Sequence, residues 1–514
     1  MPNQNKPTPP LDDIEPHIMR MWKARLTDRQ IVAELRKVID TNEYGIGLTK
    51  FIVVRKQMGL IRTREQGHTA DSIRDVMVEL RAMYPNAGAR EMISLLHHER
   101  NMSVSRSVIR EYFATYEPHL IRHRKACRLQ RRRFWAAGVN DIWAVDQHDK
   151  WNKFGLALHT GVEPFSGKIL WIRVWHSNRN PQLILTYYLD VVEELGFIPL
   201  VTQSDPGSEN FGIANAQTML RQWHDPALEG TLQHRWMRSR KNIKPEIMWS
   251  QLRRRFTPGF ESLLEYGVHQ GWYDIDNTLQ CMLFRWIFIP WLQEELNGYR
   301  ERVNYTMKRH DRHKVLPHGV PELMFHSPQD YGAIDFKFMV DKAALTHVRE
   351  LYLNTGHPVF DLVPRPLNGH IEECYHRLGR PAITRSSVWD IYLDLLHALQ
   401  NHTLLPPVLD SLPVDIDVDD SLPLLGGQRE LPFKKRKDGY CYMGGAGGGL
   451  GLGKLLLIRL GLNEAEIFSD DDRVDELDDV EGELDVMEEG PNVVVSDFSD
   501  EEVDDNDSSR DESG

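Results

Sequence analysis

The chain has 514 residues, 41% of them hydrophobic, which is enough for roughly two to four domains with sizeable cores. Its formal net charge of −13 is unevenly distributed, because residues 461–514 carry 23 acidic and 2 basic side chains. The other 460 residues hold 60 basic and 52 acidic side chains, a net charge of +8. Four scattered cysteines without a Cys-x-x-Cys pair argue against a disulfide framework and a cysteine zinc site. A basic body with an acidic tail is typical of a nucleic-acid-binding protein.

The N-terminal residues 1–12 are polar and rich in proline, which predicts a disordered lead and not a signal peptide. Residues 13–62 predict a helix-turn-helix-like unit, with Thr27 and Gln30 forming a capping box at the start of its second helix. Residues 69–135 predict a second helical DNA-binding region that ends in a basic linker. A generic helical bundle is the alternative interpretation of both regions.

The basic linker carries seven cations within residues 122–133 and almost no acids. Such a concentration of like charge repels itself unless it faces a polyanion, so it predicts salt-dependent contacts with DNA phosphates. A solvated linker is the alternative. The predicted DNA-binding residues here are Arg122, Arg124, Lys125, Arg128, Arg131, Arg132 and Arg133.

Residues 138–330 change to a pattern of strands and helices. Runs rich in β-branched and aromatic residues predict four strands, and a longer apolar run predicts a helix at residues 181–195. The strands are expected at residues 142–145, 155–160, 169–175 and 198–202. Three consecutive strands followed by a helix and another strand indicate an α/β sheet of mixed direction.

Three carboxylates in this region are candidate ligands of a pair of divalent cations, which could clamp the oxygens of a phosphoryl transfer. Asp146 ends the first predicted strand, Asp205 follows the fourth, and Glu246 lies near a helix start. Each has a simpler explanation: Asp146 could pair with Lys150 or Lys153, Asp205 begins an ordinary Asp-Pro-Gly turn, and Glu246 suits a helix N-terminus.

The helix expected to start near Pro245 has two distinct sides, because each residue advances about 100°. The side expected to face the core carries Met248, Leu252 and Phe256. The opposite side carries Glu246, Trp249, Ser250 and Arg253. Glu246 should therefore point away from the core, toward a site shared with the two aspartates.

Three motifs in order resemble the retroviral-integrase and DDE-transposase superfamily. Trp143 to Asp146 resembles its Trp-x-x-Asp element, residues 204–210 its Asp-x-Gly-x-Glu element, and residues 242–252 its Asn-x-x-x-Glu helix. The resemblance covers roughly residues 70–330, although the 40 residues between Asp205 and Glu246 slightly exceed the usual spacing. No retroviral zinc motif precedes it, so the chain is more similar to transposon-derived, fungal-type integrase-core proteins.

The resemblance implies an RNase H-like catalytic core that binds two Mg²⁺ or Mn²⁺ ions through Asp146, Asp205 and Glu246. It implies DNA cleavage and strand transfer by a homo-oligomer on DNA, with a non-catalytic DNA-binding protein or an RNase H-like nuclease as alternatives. The residues expected close behind the acids are Trp143, Glu209 and Asn242, and Glu209 could instead contact DNA or compete with Glu246 as the third carboxylate. The cations expected to hold phosphates are Arg235, Arg238, Arg240, Lys241, Arg253 and Arg254.

The C-terminal third is less informative. Residues 331–415 predict a helical accessory region, and residues 416–514 predict a Gly-rich and acidic disordered tail. The glycine tract at residues 448–455 lacks the Ser or Thr of a P-loop, so no nucleotide cofactor is expected. The most apolar helical stretch, residues 279–292, is too short to span a bilayer, so no membrane partner is expected. The basic cluster at residues 434–437 predicts nuclear import.

Overall fold

The structure of the protein is a computed structural model. It describes residues 6–117, 136–237, 242–308, 316–401, 422–431, 444–447 and 452. The predictions for the basic linker from Arg122 to Arg133, for Arg238, Arg240 and Lys241, and for the acidic tail fall outside these ranges and stay predictions. Among the described helices, none has both the length and the apolar character that a membrane crossing requires.

The N-terminal helices form a small unit with its own apolar core. They are α1 (Leu11–Lys23), α2 (Asp28–Val38), α3 (Leu48–Gln57) and the short α4 (Thr63–Gln66). The predicted capping box is present: Thr27 N donates to Gln30 Oε1 at 2.9 Å, and Gln30 N donates to Thr27 Oγ1 at 3.3 Å. Because α1 already begins at Leu11, the predicted lead is two residues too long. DNA binding by this unit stays a prediction.

The second group of helices shares its core with the rest of the molecule. It comprises α5 (Arg74–Met83), α6 (Ala89–Arg100) and α7 (Arg106–Tyr116). Ser105 caps α7, since its hydroxyl accepts the Val108 N–H at 3.3 Å. Met77 and Leu96 belong to the same apolar cluster as residues from the C-terminal helices, for example Tyr392. This helical region therefore packs as part of the main body.

A five-stranded mixed sheet lies at the centre, in the order β4-β3-β2-β6-β7. The strands of the molecule are β1 (Gly138–Val139), β2 (Ile142–His148), β3 (Ala157–Glu163), β4 (Lys168–Trp175), β5 (Phe197–Ile198), β6 (Val201–Ser204), β7 (His234–Trp236), β8 (Ile334–Asp335) and β9 (Phe338–Met339). β2, β3 and β4 run antiparallel to one another in turn, whereas β2, β6 and β7 are parallel neighbours. The predicted sheet of mixed direction is confirmed.

The strand predicted at residues 198–202 is split by Pro199. β5 pairs with β9 at the periphery, and β6 pairs with β2 and β7 in the central sheet. Proline has no N–H to donate to a strand ladder, so the pairing is interrupted there. As a result β6 is only four residues long, and Asp205 follows its last residue directly.

Helices cover both faces of the sheet. They are α8 (Pro181–Leu195), α9 (Phe211–His224), α10 (Ile243–Arg255), α11 (Thr257–His269), α12 (Thr278–Tyr305), α13 (Pro321–His326), α14 (Lys342–Tyr352), α15 (Arg365–Arg377) and α16 (Val388–Gln400). α8 has the predicted bounds. One apolar cluster joins the sheet to α8, α9 and α14, and another joins it to α10, α11, α12, α15 and α16. This arrangement agrees with the expected RNase H-like core.

The region after residue 331 is helical for the most part, as predicted, but it also contributes strands to the core. β8 pairs with β1 in parallel, and β9 pairs with β5 antiparallel. Leu367 of α15 and Leu395 of α16 are fully buried in the large apolar cluster. A boundary near residue 331 therefore does not correspond to a break in packing.

Two short pieces of the tail pack against the core, namely residues 422–431 and 444–447. In the first piece, Arg429 accepts the Leu232 N–H through its carbonyl at 2.8 Å. In the second, backbone N–H groups donate to the carboxylate of Asp141. The prediction of disorder from residue 416 is wrong for these pieces, because their backbone groups bond to distant parts of the chain.

Candidate active site

Two acids lie side by side where adjacent parallel strands end. Ala144 of β2 is paired with Gln203 of β6. Asp146 lies two residues after Ala144, and Asp205 lies two residues after Gln203, so both side chains project from the same face of the sheet. Parallel neighbours in a sheet are about 4.8 Å apart. The sheet itself thus brings the first two predicted acids to one edge.

The buried amide of Asn242 brings Glu246 to the same edge. Asn242 is fully buried directly before α10. Its Nδ2 donates to the Val145 carbonyl at 2.9 Å, and its Oδ1 accepts from Gln203 Nε2 at 3.2 Å. One side chain therefore ties the start of α10 to both β2 and β6. Glu246 follows in the first turn of α10 and is exposed, as predicted.

Trp249 is a residue of the site that the sequence did not identify. Its Nε1 donates to Asp146 Oδ2 at 3.0 Å, and its indole stacks on His148 with 4.9 Å between ring centroids. The predicted core side of α10 is confirmed by the buried Met248, but Trp249 on the other side is buried too, at 5% exposure. Trp249 is buried because the end of the sheet packs against this side of α10. The sequence feature that indicates a role for Trp249 is its position three residues after Glu246, on the same face of the helix.

Asp146 and Asp205 lie in an electrostatically unfavourable environment. Burial raises the pKa of Asp146, and the carboxylates of Asp205 and Glu246 raise it further, to about 8, against the opposing hydrogen bond from Trp249. Burial and the nearby Glu209 also raise the pKa of Asp205. Like charges have this effect only when they are near neighbours in a poorly solvated place. The protein alone therefore leaves an excess of negative charge at this edge.

This edge fits a hard divalent cation. Asp205 Oδ1 is buried and has no hydrogen-bond partner among the described residues, although buried polar atoms are normally paired. Carboxylate oxygens are the ligands that Mg²⁺ and Mn²⁺ prefer. Within the described ranges, no three His, Cys, Asp or Glu side chains are yet gathered closely enough to hold a metal ion.

Glu209 is held beside Asp205 by two amide side chains. Gln147 Nε2 donates to Glu209 Oε1 at 2.7 Å, and Asn210 Nδ2 donates to the same oxygen at 3.0 Å. The carboxylate lies over Gly207, where an added Cβ would be 1.9 Å from Glu209 Oε1. Any side chain at position 207 would therefore displace Glu209. Its location near the acids is as predicted, and a contact with DNA stays a prediction.

Trp143 does not lie behind the acids, contrary to prediction. Its Nε1 donates to Asn140 Oδ1 at 2.9 Å, and its ring packs against Tyr188 and Phe197. Successive side chains of a strand alternate between faces, so residues three apart project from opposite faces. Trp143 is therefore a core residue on the face away from Asp146.

The cations predicted to hold phosphates are placed differently from one another. Arg253 is exposed and lies near His148: burial lowers the pKa of His148, and the charge of Arg253 lowers it further, to about 4. Arg254 turns back onto its own helix, where its Nε donates to the Ser250 carbonyl at 3.2 Å. Arg235 is buried within β7, at 4% exposure, so its predicted role at the surface is wrong.

Comparison with protein-family models matches residues 134–324 to the integrase core domain. This segment overlaps the predicted core and contains β2, β6 and α10 entirely, and with them Asp146, Asp205 and Glu246. A search of curated proteins gives no match to the chain.

Proposed function

Because residues 134–324 belong to the integrase core domain family, and so to the superfamily of retroviral integrases and DDE transposases, we propose that the protein cleaves and joins DNA. Asp146, Asp205 and Glu246 are the catalytic acids of this proposal. The observation that carries it is the placement of the acids: Asp146 and Asp205 follow paired residues of β2 and β6, and Asn242 ties the start of the helix that carries Glu246 to both strands. Strongly perturbed acids that cluster at one edge are typical of catalytic sites.

Two Mg²⁺ or Mn²⁺ ions are the proposed cofactors, in keeping with the general use of divalent metals in this family. Asp146 would contribute to both ions, Asp205 to one and Glu246 to the other. Bound there, the ions would supply positive charge to the attacking and leaving oxygens of a phosphoryl transfer. The chain supplies the positioning: Trp249 fixes one oxygen of Asp146, and Asn242 fixes the helix that carries Glu246.

DNA is the proposed substrate, both as element ends and as target. Arg253 supports this, because it is an exposed cation whose charge acts on His148, and His148 stacks on the Trp249 that bonds to Asp146. The seven cations of residues 122–133 add sequence support for contacts to the DNA backbone. A homo-oligomer assembled on DNA, an origin in a transposable element, and nuclear import through residues 434–437 complete the proposal, and these three parts depend on the sequence alone.

The test is to incubate the purified full-length protein with labelled DNA ends and Mn²⁺, and to compare wild type with Asp146→Asn. The matched control is Asp394→Asn, which removes an exposed acid of α16 outside the matched segment. We expect cleavage and joining by wild type and by Asp394→Asn, and neither by Asp146→Asn. If neither wild type nor Asp146→Asn cleaves or joins DNA, the proposal of catalysis is wrong, and a non-catalytic DNA-binding protein is the alternative. Cleavage without joining identifies a nuclease.

A further inference from the structure

Three buried polar side chains form a hydrogen-bond network on the face of the sheet away from the side chain of Asp205. Thr202 and Ser204 lie on β6, and His234 lies opposite Thr202 on the neighbouring strand β7. Each of the three is 0% exposed. Residues two apart in a strand project from the same face, so one imidazole can reach both hydroxyls. His234 Nδ1 lies 2.9 Å from Thr202 Oγ1, and His234 Nε2 lies 3.1 Å from Ser204 Oγ.

The direction of these hydrogen bonds is fixed by the bond that Ser204 makes to Asp205. Ser204 Oγ donates to the carbonyl of Asp205 at 2.9 Å, because a carbonyl can only accept. A hydroxyl has one hydrogen, so Ser204 Oγ must accept from the N–H of His234 Nε2. Burial lowers the pKa of His234 to about 3, so the imidazole is neutral and its Nδ1 accepts from Thr202. The network therefore runs in one direction, from Thr202 through His234 and Ser204 to the backbone of Asp205.

This network ends where the pairing of β6 ends. Ser204 is the last residue of β6, and its carbonyl accepts the Met237 N–H at 2.7 Å. Asp205 comes next and lies outside the strand, and Pro206 after it has no N–H to donate. The hydroxyl of Ser204 therefore holds the backbone of Asp205 at the position just beyond the strand.

The imidazole of His234 has an aromatic neighbour on the same face of β7. The ring of Trp236 lies 4.3 Å from the ring of His234 between centroids. Burying polar side chains costs free energy unless they find partners, and apolar residues would avoid that cost. A buried network in which each member is bonded is expected to fix one geometry of the chain around it.

We propose that His234 is a positioning residue for Asp205, on which it acts through the hydroxyl of Ser204. The network fixes the backbone of Asp205, and with it the point from which the carboxylate extends. Groups that orient a metal ligand from behind strengthen metal binding. The inference rests on the proposed function, since it takes Asp205 as a ligand of a divalent cation. Because His234 is fully buried, it affects the site through its neighbours and not by touching DNA.

The test compares His234→Gln with His176→Gln in the full-length protein. His176 is a matched control, because it is also a buried histidine whose ring lies beside a tryptophan, Trp175. Its Nε2 donates to the carbonyl of Asp361 at 3.2 Å, so its hydrogen bond does not lead to β6. Both substitutions replace a buried imidazole by the same amide side chain.

Two quantities are measured, and neither depends on catalysis. The first is hydrogen–deuterium exchange of the backbone amides of residues 205–211, detected by mass spectrometry without metal or DNA. The second is the affinity for Mn²⁺ without DNA, from the electron paramagnetic resonance signal of the free ion. Only the binding that Asp205→Asn abolishes is counted, because the acidic residues 461–514 also offer carboxylates to Mn²⁺.

We expect His234→Gln to speed exchange in residues 205–211 and to weaken Mn²⁺ binding roughly tenfold, the scale expected when a group that orients a metal ligand is lost. His176→Gln should leave both quantities unchanged. Unchanged exchange or unchanged Mn²⁺ affinity in His234→Gln would overturn the proposal, and so would equal effects of the two variants.

A double variant shows whether His234 acts through Ser204. Ser204→Ala removes the bond to Asp205 without adding volume, and should weaken Mn²⁺ binding at least as much as His234→Gln. Adding His234→Gln to Ser204→Ala should cause little further loss of Mn²⁺ affinity, because the path to Asp205 is already interrupted. Fully additive losses would mean that His234 serves packing alone, and would overturn the proposal.

These measurements also separate the inference from the proposed function. If the exchange and Mn²⁺ results are as expected but the wild type neither cleaves nor joins DNA, the proposed catalysis is wrong and the positioning role stands. If the wild type acts on DNA but His234→Gln behaves like His176→Gln, the proposed function stands and the positioning role is overturned. A wild type without Mn²⁺ binding that depends on Asp205 would overturn both.

Discussion

Asp141 directly precedes strand β2 and Asp146 lies in its second half, and the protein surrounds the two acids in opposite ways. Asp141 is fully buried and is surrounded by donors. Its carboxylate accepts the backbone N–H groups of Gly445 at 2.8 Å, Ala446 at 2.9 Å and Ala137 at 3.3 Å. Such bonds favour the charged form of a carboxylate and compensate for its burial.

Asp146, five residues later, receives one side-chain hydrogen bond, from Trp249, and lies beside two further acids, Asp205 and Glu246. No structural requirement of a strand end calls for this accumulation of like charge. The difference between the surroundings of Asp141 and Asp146 shows that burial alone does not identify a functional acid. The informative property is whether the protein surrounds that acid with donors or with more acids.

The largest expected effect is on catalysis. Asp146→Asn should lower DNA cleavage and joining by roughly 10³-fold, the scale expected for a group that acts at the reacting atoms. The same variant should melt at the same or a higher temperature without metal, because it removes a carboxylate that burial and its neighbours disfavour. Initial rates and thermal unfolding measure the two effects. A clear loss of stability would contradict the functional reading of Asp146.

The opposite pattern is expected at Asp141. Asp141→Asn places an amide where three N–H groups point, and should cost about 2 kcal/mol of unfolding free energy. The rate per folded molecule should not change, because these bonds lie at the other end of β2. Chemical denaturation measures the first quantity and active-site-normalised rates the second. Equal stability of Asp141→Asn and wild type would remove the contrast between the two ends.

The pH dependence of stability extends the comparison to Glu322. Burial disfavours its charge, but the bond from His326 at 2.9 Å and Lys168 at 3.0 Å outweigh this and lower its pKa to about 2. A lowered carboxyl pKa stabilises the fold above the unfolded value near 4.5, and this stability is lost as the pH falls toward 2. Glu322→Gln should therefore flatten the acid side of a plot of melting temperature against pH.

Asp146 should have the reverse effect on the same plot. With its pKa raised to about 8, the folded protein holds a proton that the unfolded chain has released. Stability without metal should therefore fall as the pH rises from the acid range toward 8. Asp146→Asn should remove this decline and leave the acid side intact. If both variants changed the same side of the plot, the assigned environments would be wrong.

The smallest expected effect concerns Trp249. Trp249→Phe keeps an aromatic ring against His148 but removes the N–H that donates to Asp146. Since this bond opposes the rise of the Asp146 pKa, its loss should weaken metal binding. We expect roughly tenfold more Mn²⁺ to be needed for half-maximal activity, with most activity recovered at saturation. An unchanged metal requirement would show that the indole serves packing alone.

The sequence predicts well what depends on local pattern. The helix at residues 181–195 has the expected bounds, and Asp205 directly follows β6 as expected, whereas β2 extends two residues beyond Asp146, to His148. Because side chains alternate along a strand, the sequence also indicates that Trp143 and Asp146 face opposite ways, whereas the motif resemblance alone implies that both lie at the site. The interruption at Pro199 could also be predicted from the sequence, because proline has no N–H to donate to the hydrogen bonds between strands.

Long-range contacts could not be predicted in this way. Nothing in the glycine-rich stretch indicates that Gly445 and Ala446 bond to Asp141, because backbone N–H groups carry no sequence signature. The stacking of Trp249 on His148 likewise depends on how α10 meets the sheet. The integration of residues 331–401 into the main core has the same origin, because apolar periodicity does not specify which surface a helix covers.

The bond between Asp141 and Gly445 joins residues that are 304 positions apart. Chains are made from the N-terminus at about 5–20 residues per second, so the donors emerge roughly 15–60 s after the acid they serve. During that interval, burying the start of β2 would leave the charge of Asp141 without these hydrogen bonds. We therefore expect the central sheet to stay incompletely closed on the ribosome. We therefore expect the turn at Gly445 and Ala446 to set the time at which β2 can be completed.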